Sequence, residues 1–187
     1  MNDRIYNNGI DKLRSPERIQ RLELAKIVEY CLGNGIGNTL LDIGTGSGLF
    51  AEAFSNAGLI VSGIDINKEM IRIVSKYLHD SIFKVELAEE IPFEDNSFDT
   101  TFFGCVFHEL SDYKKALIES YRVTNLYTYI LEWKYISEEF GPPIEHRLNS
   151  EFISSLSKEA GYKKIIEIPM NNFILYQLVK VLENDDN

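Results

Sequence analysis

The sequence predicts an α/β fold, a doubly wound sheet of seven strands with helices on both faces. Two observations lead to this prediction. An apolar strand at residues 39–43 runs through a glycine-rich turn into a helical pattern, which is the first half of a βαβ unit. Strand-like and helix-like segments then alternate to residue 160, and right-handed crossovers place the helices on both faces. The 187 residues suffice for one such domain and are too few for two of the usual size.

The N-terminal region is predicted to be a polar, irregular arm, residues 4–14, followed by one helix. Ser15 is the predicted N-cap, and Pro16 stands at the first helical position, where its missing N–H costs no hydrogen bond. Apolar residues then recur at helical spacing as far as Leu32. The glycines that begin at Gly33 end the helix and turn the chain into the first strand.

The stretch Leu41-Asp42-Ile43-Gly44-Thr45-Gly46-Ser47-Gly48 contains the glycine turn around which the chain is organised. Its pattern is Gly-x-Gly-x-Gly, and Leu49 stands where the dinucleotide fingerprint requires Gly or Ala. The Asp42 carboxylate would repel a pyrophosphate, whereas it attracts a cationic ligand. A second apolar strand ends in Asp65, about 20 residues past the turn, where an acid meets ribose hydroxyls. The spacing therefore predicts a ligand that carries a cationic group and a ribose.

Caps and apolar runs predict the next elements. Asn67 is expected to cap a helix, and the third strand is expected over residues 82–87. The fourth strand is predicted over residues 98–107, a nearly continuous apolar run of the kind found in a central strand buried on both faces. Ser111 is expected to cap the following helix, and residues 127–133 to form the fifth strand.

The last third of the chain contains a long loop, a helix and two strands. Residues 134–149 are predicted to be irregular, and loops of this length are often functional. A helix is expected from Ser150 to about Ala160. Two successive strands follow at residues 164–168 and 173–181, which breaks the alternation, so the last strand should pair antiparallel.

Three segments resemble the motifs of class I S-adenosylmethionine-dependent methyltransferases. Residues 41–48 are similar to the first motif, and Gly63-Ile64-Asp65-Ile66-Asn67 with Met70 is similar to the second. Residues 88–99 resemble the stretch that passes the adenine and enters the fourth strand. The resemblance covers about residues 39–181 and implies the strand order 3-2-1-4-5-7-6. It also implies S-adenosylmethionine as cofactor, S-adenosylhomocysteine as product and a small-molecule methyl acceptor.

The resemblance further implies which residues meet the cofactor at the carboxyl ends of the strands. Asp65 would bind the ribose hydroxyls, and Ile66 and Met70 would enclose the adenine. Leu87 departs from the family pattern, because an acid commonly stands there. Either the backbone near Ala88 and the Glu89 carboxylate meet the adenine amino group, or the adenine is held less specifically and Glu89 is a solvated acid. The predicted cofactor-binding residues are Asp42, Gly44, Thr45, Gly46, Gly48, Asp65, Ile66, Met70, Ala88, Glu89, Gly104 and Cys105.

The candidate catalytic residues are His108, Glu109 and Glu132. An imidazole, with an ordinary pKa near 6.5, is suited to take a proton from a thiol, a phenol or an ammonium group. The alternative is that His108 only shapes the pocket. Glu132 and the adjacent Trp133 either bind a cationic or aromatic acceptor, or Glu132 pairs with Arg147 or Lys134 as part of the scaffold.

Composition restricts the partners. The net charge of −10 argues against nucleic acid, because phosphate neutralisation supplies most non-specific affinity, although a local basic patch at Lys134, Arg147, Lys163 and Lys164 stays possible. Two cysteines and no zinc-like spacing predict neither a disulfide framework nor a metal. No segment has the length and hydropathy of a membrane span or a signal peptide, so a cytoplasmic location is expected. The expected assembly is a monomer or a homodimer.

The expected organisation is one methyltransferase domain over residues 1–187. Residues 1–38 form an arm and helix that cover the cofactor site, a role in which the resemblance involves Tyr6. Residues 39–182 form the core, and residues 183–187 form an acidic tail. Two other functions stay open, an NAD-linked oxidoreductase and a subunit that binds the cofactor without turnover.

Overall fold

The structure is a computed structural model that describes residues 10–180. Tyr6 and the acidic tail at 183–187 lie outside the described residues. The strands are β1 (Thr39–Ile43), β2 (Ile60–Asp65), β3 (Ile82–Val85), β4 (Phe98–Gly104), β5 (Thr124–Trp133), β6 (Lys164–Pro169) and β7 (Phe173–Val179). The helices are α1 (Ile10–Leu13), α2 (Pro16–Leu22), α3 (Leu24–Gly33), α4 (Leu49–Asn56), α5 (Lys68–Val74), α6 (Tyr113–Val123) and α7 (Ser150–Glu159).

The seven strands form one sheet in the order β3-β2-β1-β4-β5-β7-β6, which confirms the predicted order. β1 to β5 are parallel, and β7 runs antiparallel to both of its neighbours, β5 and β6. Ile43 is in register with Ile64 and with Phe103, so the carboxyl ends of β2, β1 and β4 meet at one edge. The antiparallel β7 brings its first residue, Phe173, beside Trp133 at the same edge.

The strands are apolar because both faces of the sheet are covered. Leu40 and Phe102 belong to one buried cluster with α3 and α4, while Leu41 and Phe103 belong to a second cluster with α6 and α7. Adjacent residues of a strand point to opposite faces, so each central strand contributes to both clusters. Between residues 10 and 180, no helix is long and apolar enough to cross a membrane.

Two predictions about helices were wrong. The N-terminal helix is divided into α2 and α3 at Glu23, whose φ is 53° and whose carboxylate accepts a hydrogen bond from the Asn171 amide. Asp112, not Ser111, caps α6 by accepting from the Lys115 amide at 3.0 Å. In addition, α1 lies within the arm that was predicted to be irregular.

Several strand ends also differ from the prediction. β4 ends at Gly104, because Cys105 has a φ of 59°, and residues 107–109 form a 3₁₀ turn in place of more strand. β5 begins three residues earlier than predicted, at Thr124, and β3 ends at Val85. The early end of β4 releases the following residues from the sheet and opens its carboxyl edge. The predicted cap at Asn67 is confirmed, since its side chain accepts from the Glu69 amide.

Candidate functional site

A cavity of about 1010 Å³ lies at the carboxyl edge of the sheet. The segments that follow β1, β2, β3, β4 and β5 line it, and α1 and α2 form a further wall. It contains most of the residues predicted from the sequence: Gly44, Thr45, Gly46, Asp65, Ile66, Met70, Ala88, Glu89, Gly104, Cys105, His108 and Glu109. Asp42, Gly48 and Glu132 are not part of its wall.

The glycine turn forms the floor of the cavity. The amides of Gly44 and Thr45 both donate to the Ile64 carbonyl, at 2.8 and 2.9 Å, which ties the turn to β2. Gly46 has a φ of 53°, and a Cβ at that position would have no neighbour nearer than 3.8 Å. The turn is therefore open at Gly46, so a ligand is able to lie directly against the backbone.

Asp65 is held in one orientation at the end of β2. Its Oδ2 accepts from the Gly46 amide at 2.8 Å, and its Oδ1 accepts from the Asn67 amide at 2.7 Å. Burial raises the pKa of Asp65, and these two amides oppose that rise. Each carboxylate oxygen retains a free lone pair on the cavity side, and the pair of oxygens matches the two hydroxyls of a ribose.

Asp42 and Gly48 lie behind the turn and away from the cavity. The Asp42 side chain is buried, and its Oδ2 accepts from the Thr45 hydroxyl at 2.8 Å. Burial raises the pKa of Asp42 to about 7, and the nearby charge of Asp65 contributes to the rise. A Cβ at Gly48 would collide with Val74, so this glycine permits α4 and α5 to approach each other. Both residues thus support the turn.

The residues expected around the adenine lie together at one end of the cavity. Ile66 is exposed at its rim, whereas Met70 and Ala88 are buried. Glu89 is not a solvated acid. Its carboxylate accepts from the amides of Ser111 and Asp112 at 3.1 and 3.0 Å, which places negative charge at the N-terminus of α6, where a helix favours it.

Gly104 and Cys105 form the middle of the wall, where β4 leaves the sheet. The Cys105 amide still donates to the Leu131 carbonyl at 2.9 Å, so the positive φ turns the chain without separating it from β5. Burial raises the pKa of the Cys105 thiol, which keeps it in the unreactive neutral form. Among residues 10–180, no three His, Cys, Asp or Glu side chains are grouped so that they would hold a metal ion.

His108 and Glu132 form a buried pair at the other end of the cavity. The His108 Nδ1 lies 3.0 and 2.9 Å from the two carboxylate oxygens of Glu132, which also accept from the amides of His108 and Trp133. Because a carboxylate only accepts, Nδ1 carries a proton, and in the neutral imidazole the lone pair belongs to Nε2. Nε2 lies 3.8 Å from Glu109 Oε1.

The pKa of His108 is raised above its ordinary value by its acidic neighbours. Burial alone would lower the pKa of this imidazole, but the charges of Glu132 and Glu109 and the hydrogen bond to Glu132 outweigh burial. The arrangement combines a fixed ring, a carboxylate behind it and a lone pair beside the cavity. It is able to accept a proton from a bound molecule.

The long loop after β5 forms the roof and is fixed by Arg147. This buried guanidinium donates to the carbonyls of Lys134, Phe140 and Pro142 and pairs with Glu138 at 2.9 Å. Arg147 is therefore not available for the possible basic patch. Glu132 pairs with His108, and not with Arg147 or Lys134. The cavity-lining residues of the roof and its neighbours are Trp133, Phe140, Gly141, Pro142, Pro143, His146 and Phe173.

The sequence reasoning expected the N-terminal arm and helix to cover the cofactor site but named only Tyr6 there. In the wall made by α1 and α2, the residues Lys12, Leu13, Ser15, Glu17, Arg18, Arg21 and Leu22 line the cavity. Arg14 anchors this segment, because it donates to the Ser47 carbonyl and pairs with Glu52 at 2.6 Å. Arg18 and Arg21 were the available signal, since their spacing of three residues puts them on one face of the helix that Ser15 caps.

Several known proteins are similar to this chain. Residues 41–126 match the profile of a family described as a methyltransferase domain. The chain is 30% identical over 117 residues to demethylmenaquinone methyltransferase of Renibacterium salmoninarum, a match that covers 63% of this chain and 49% of that protein. It is 37% identical over 89 residues to the uncharacterized methyltransferase YcgJ of Bacillus subtilis, covering 45% and 35% respectively. The chain thus spans about half the length, or less, of these curated relatives.

A solved structure resembles the whole described fold. A SAM-dependent methyltransferase from Aquifex aeolicus superposes with a TM-score of 0.79 at 26% identity, covering 91% of this chain and 97% of that one. The strand order, the glycine turn that leads into α4 and the acid that ends β2 occur here together. Over residues 41–126 the chain is thus similar to a methyltransferase domain, and its whole described fold is similar to that of a SAM-dependent methyltransferase.

Proposed function

We propose that this protein transfers a methyl group from S-adenosylmethionine to a small-molecule acceptor. The observation that carries the proposal is the pairing of Asp65, oriented by two backbone amides, with the open turn at Gly46. Both stand in one cavity of about 1010 Å³, which has room for a cofactor and an acceptor side by side. The residues present therefore fit the family's cofactor.

The proposed cofactor position follows the carboxyl edge from β2 to β4. Asp65 receives the ribose hydroxyls, Ile66, Met70 and Ala88 enclose the adenine, and the amino-acid part crosses Gly46 toward Gly104 and Cys105. Glu89 keeps its Oε2 for a ligand beside the adenine end, since the amides of Ser111 and Asp112 both donate to Oε1. Asp42, Thr45 and Gly48 act by maintaining the turn.

His108 is the proposed general base. When bound, S-adenosylmethionine supplies a methyl group on a positively charged sulfur. His108 Nε2 would take the proton of an acceptor group bound beside it, which would leave that group able to receive the methyl. Glu132 positions the ring, keeps the proton on Nδ1 and stabilises the imidazolium that forms, while Glu109 lies beside Nε2.

A flat, apolar acceptor with an ionisable hydroxyl fits this half of the cavity best. Trp133 packs against Phe173 with ring centroids 4.4 Å apart, and Phe140 and the two prolines continue the apolar wall. A phenol would lie against these rings and present its hydroxyl to His108. A curated relative is named for a demethylmenaquinone acceptor, which supports a ring-bearing acceptor here.

The two alternative functions fit less well. Leu49 and the spacing of the turn disfavour a pyrophosphate, and hence an NAD-linked oxidoreductase. A subunit that binds the cofactor without turnover would be favoured by an acceptor pocket plugged by Trp133 or Tyr135. Trp133 instead lies in the cavity wall, and Tyr135 is exposed elsewhere. A cytoplasmic location, a monomer or homodimer and the exclusion of nucleic acid stay predictions.

Calorimetric titration with S-adenosylhomocysteine, with NAD as comparison, tests the cofactor. We expect micromolar binding of the first and none of the second. Asp65→Ala should weaken the binding roughly 10- to 100-fold, because hydrogen bonds to a charged group are lost. Glu69→Ala, which removes an exposed acid from the neighbouring α5, is the control and should bind normally. Tight binding of NAD, or an unchanged Asp65→Ala, would contradict the proposal.

A further inference from the structure

We propose that Arg18 on α2 binds the carboxylate at the amino-acid end of S-adenosylmethionine. The inference rests on the proposed function, since it concerns the ligand of the same cavity. It assigns a role to the N-terminal wall, in which none of the motifs lies.

Arg18 differs from the other arginines of residues 10–180 in lacking a partner. Its Nε is buried without a hydrogen-bond acceptor among the described residues. By contrast, the other arginines are engaged: Arg14 with Glu52, Arg72 with Glu69, Arg122 with Glu119, Arg147 with Glu138, and Arg21 over the Phe140 ring. A buried guanidinium nitrogen without an acceptor is costly, and a ligand carboxylate would remove that cost.

The position of Arg18 is fixed by the chain on both sides of it. Its own amide donates to the Ser15 hydroxyl, which caps α2 at 3.2 Å. Arg14, one turn earlier, is bonded to the Ser47 carbonyl on the glycine turn. The start of α2 is thereby fastened to the cavity floor, and Arg18 lines the cavity from the opposite wall. A guanidinium held in this way is preorganised for a ligand.

Arg18 also lies at the end of the cavity where the amino-acid part of the cofactor is proposed to lie. Its positive charge acts on the Cys105 thiol, opposing the rise in pKa that burial causes, so the guanidinium stands near the carboxyl end of β4. Asp65 marks the ribose position at the end of β2. β1 lies between these strands, so the two positions are two strand spacings apart, about 10 Å. An amino-acid chain that extends from the ribose across Gly46 arrives at Arg18.

The charge of the cavity requires a cation at this point. Five carboxylate residues line it, Glu17, Asp65, Glu86, Glu89 and Glu109. A ligand carboxylate entering among them would be repelled unless a positive group met it. Arg18 supplies two parallel N–H donors of the geometry that a carboxylate accepts.

The test compares two ligands that differ in the amino-acid part. S-adenosylhomocysteine has the carboxylate, and 5′-methylthioadenosine has the same nucleoside and sulfur without it. We expect Arg18→Gln to weaken S-adenosylhomocysteine roughly 10- to 100-fold in calorimetry and to leave 5′-methylthioadenosine within about twofold. Arg21→Gln, one turn away and also in the wall, is the matched control and should preserve the wild-type ratio of the two affinities.

Each other outcome overturns the inference. Equal losses for both ligands in Arg18→Gln would mean that Arg18 only supports the fold, which thermal unfolding of the variant would reveal. An unchanged affinity of Arg18→Gln for S-adenosylhomocysteine would mean that other groups bind the ligand carboxylate. If the wild-type protein binds S-adenosylhomocysteine no more tightly than 5′-methylthioadenosine, this inference alone fails. If it binds neither ligand, the proposed function fails with it.

Discussion

At the scale of single residues, the pair of His108 and Glu132 determines where a proton is able to go. Glu132 is fully buried, and its two oxygens accept from the His108 ring and from two backbone amides. A methyl acceptor in the cavity would not contact that buried carboxylate, so Glu132 would act on it only through the imidazole of His108. Glu132 is therefore a positioning residue, and the pKa of His108 is the quantity that reports on it.

Replacement of Glu132 by glutamine should lower the pKa of His108. The negative charge that outweighs burial would be removed, so burial would prevail and the imidazole would lose its proton at lower pH. NMR titration of the three histidines measures this directly without any acceptor. The exposed His79 serves as the internal reference for the comparison of the two proteins. An unchanged His108 titration would show that Glu132 does not control this ring.

At the scale of elements, the glycine turn does two kinds of work at neighbouring positions. Gly44 faces inward, because a Cβ there would lie 2.5 Å from Val106. Gly46 faces the cavity, where nothing is nearer than 3.8 Å. Both have positive φ, so any side chain at either position is strained. A side chain at Gly44 would therefore chiefly affect the stability of the turn, whereas one at Gly46 would chiefly affect the contact with a ligand.

Alanine at these two positions should have different effects. Gly46→Ala should cost about 1–2 kcal/mol of unfolding free energy from backbone strain, yet weaken S-adenosylhomocysteine strongly because the methyl group enters the cavity. Gly44→Ala should cost about 1–3 kcal/mol more, since the clash with Val106 adds to the strain. Urea unfolding and calorimetry on both variants check this. Equal stability of the two variants would contradict the orientation of the turn.

The sequence was sufficient for the order of the elements, because that order follows from patterns along the chain. Apolar strands, the cap at Asn67 and the two successive final strands led to the sheet that is observed. The break at Glu23 could not be predicted, since it depends on the Asn171 amide, 148 residues away. The early end of β4 depends likewise on how Cys105 is bonded to β5.

The site was predictable where it is built from one motif and not where it is built from distant segments. Asp65 was identified from its distance to the glycine turn. The partner of Glu89 stands 22 residues later, at the start of α6, and Arg18 lines a cavity to which residues as far along the chain as Phe173 contribute. No local pattern encodes such contacts, so only the residue types for them were available from the sequence.

At the scale of the whole molecule, Asp42 makes global stability depend on pH. Burial raises its pKa to about 7 in the folded protein, against 3.8 for an ordinary aspartate side chain. The folded state therefore keeps a proton that the unfolded state has lost, and the free energy of unfolding falls as pH rises between about 4 and 7. The full cost above pH 7 is on the order of 2–4 kcal/mol.

Asp42→Asn should remove this dependence, because the amide stays neutral and keeps an oxygen for the Thr45 hydroxyl. Urea unfolding at pH 5 and pH 8 should show that the variant is more stable than wild type at both pH values, with a gain at pH 5 of only roughly a third of that at pH 8. Asp99→Asn is the control, because the Asp99 carboxylate is expected to change the free energy of unfolding with pH in the opposite direction. Although burial opposes it, hydrogen bonds from Asn38 and Thr39 lower the pKa of Asp99, so that carboxylate stabilises the fold at higher pH. A gain at pH 5 as large as that at pH 8 would exclude the ionisation of Asp42 as the cause.

The insertion of β7 between β5 and β6 has a consequence for the order of biosynthesis. The nucleoside half of the site comes from residues 39–89, which leave the ribosome early. The ring-lined half needs Phe173 against Trp133, so it closes only when the last described strand has been made. That closure joins segments 40 residues apart, and such non-local pairing is slow. A growing chain thus contains the residues proposed to meet the nucleoside well before the acceptor end of the cavity is enclosed.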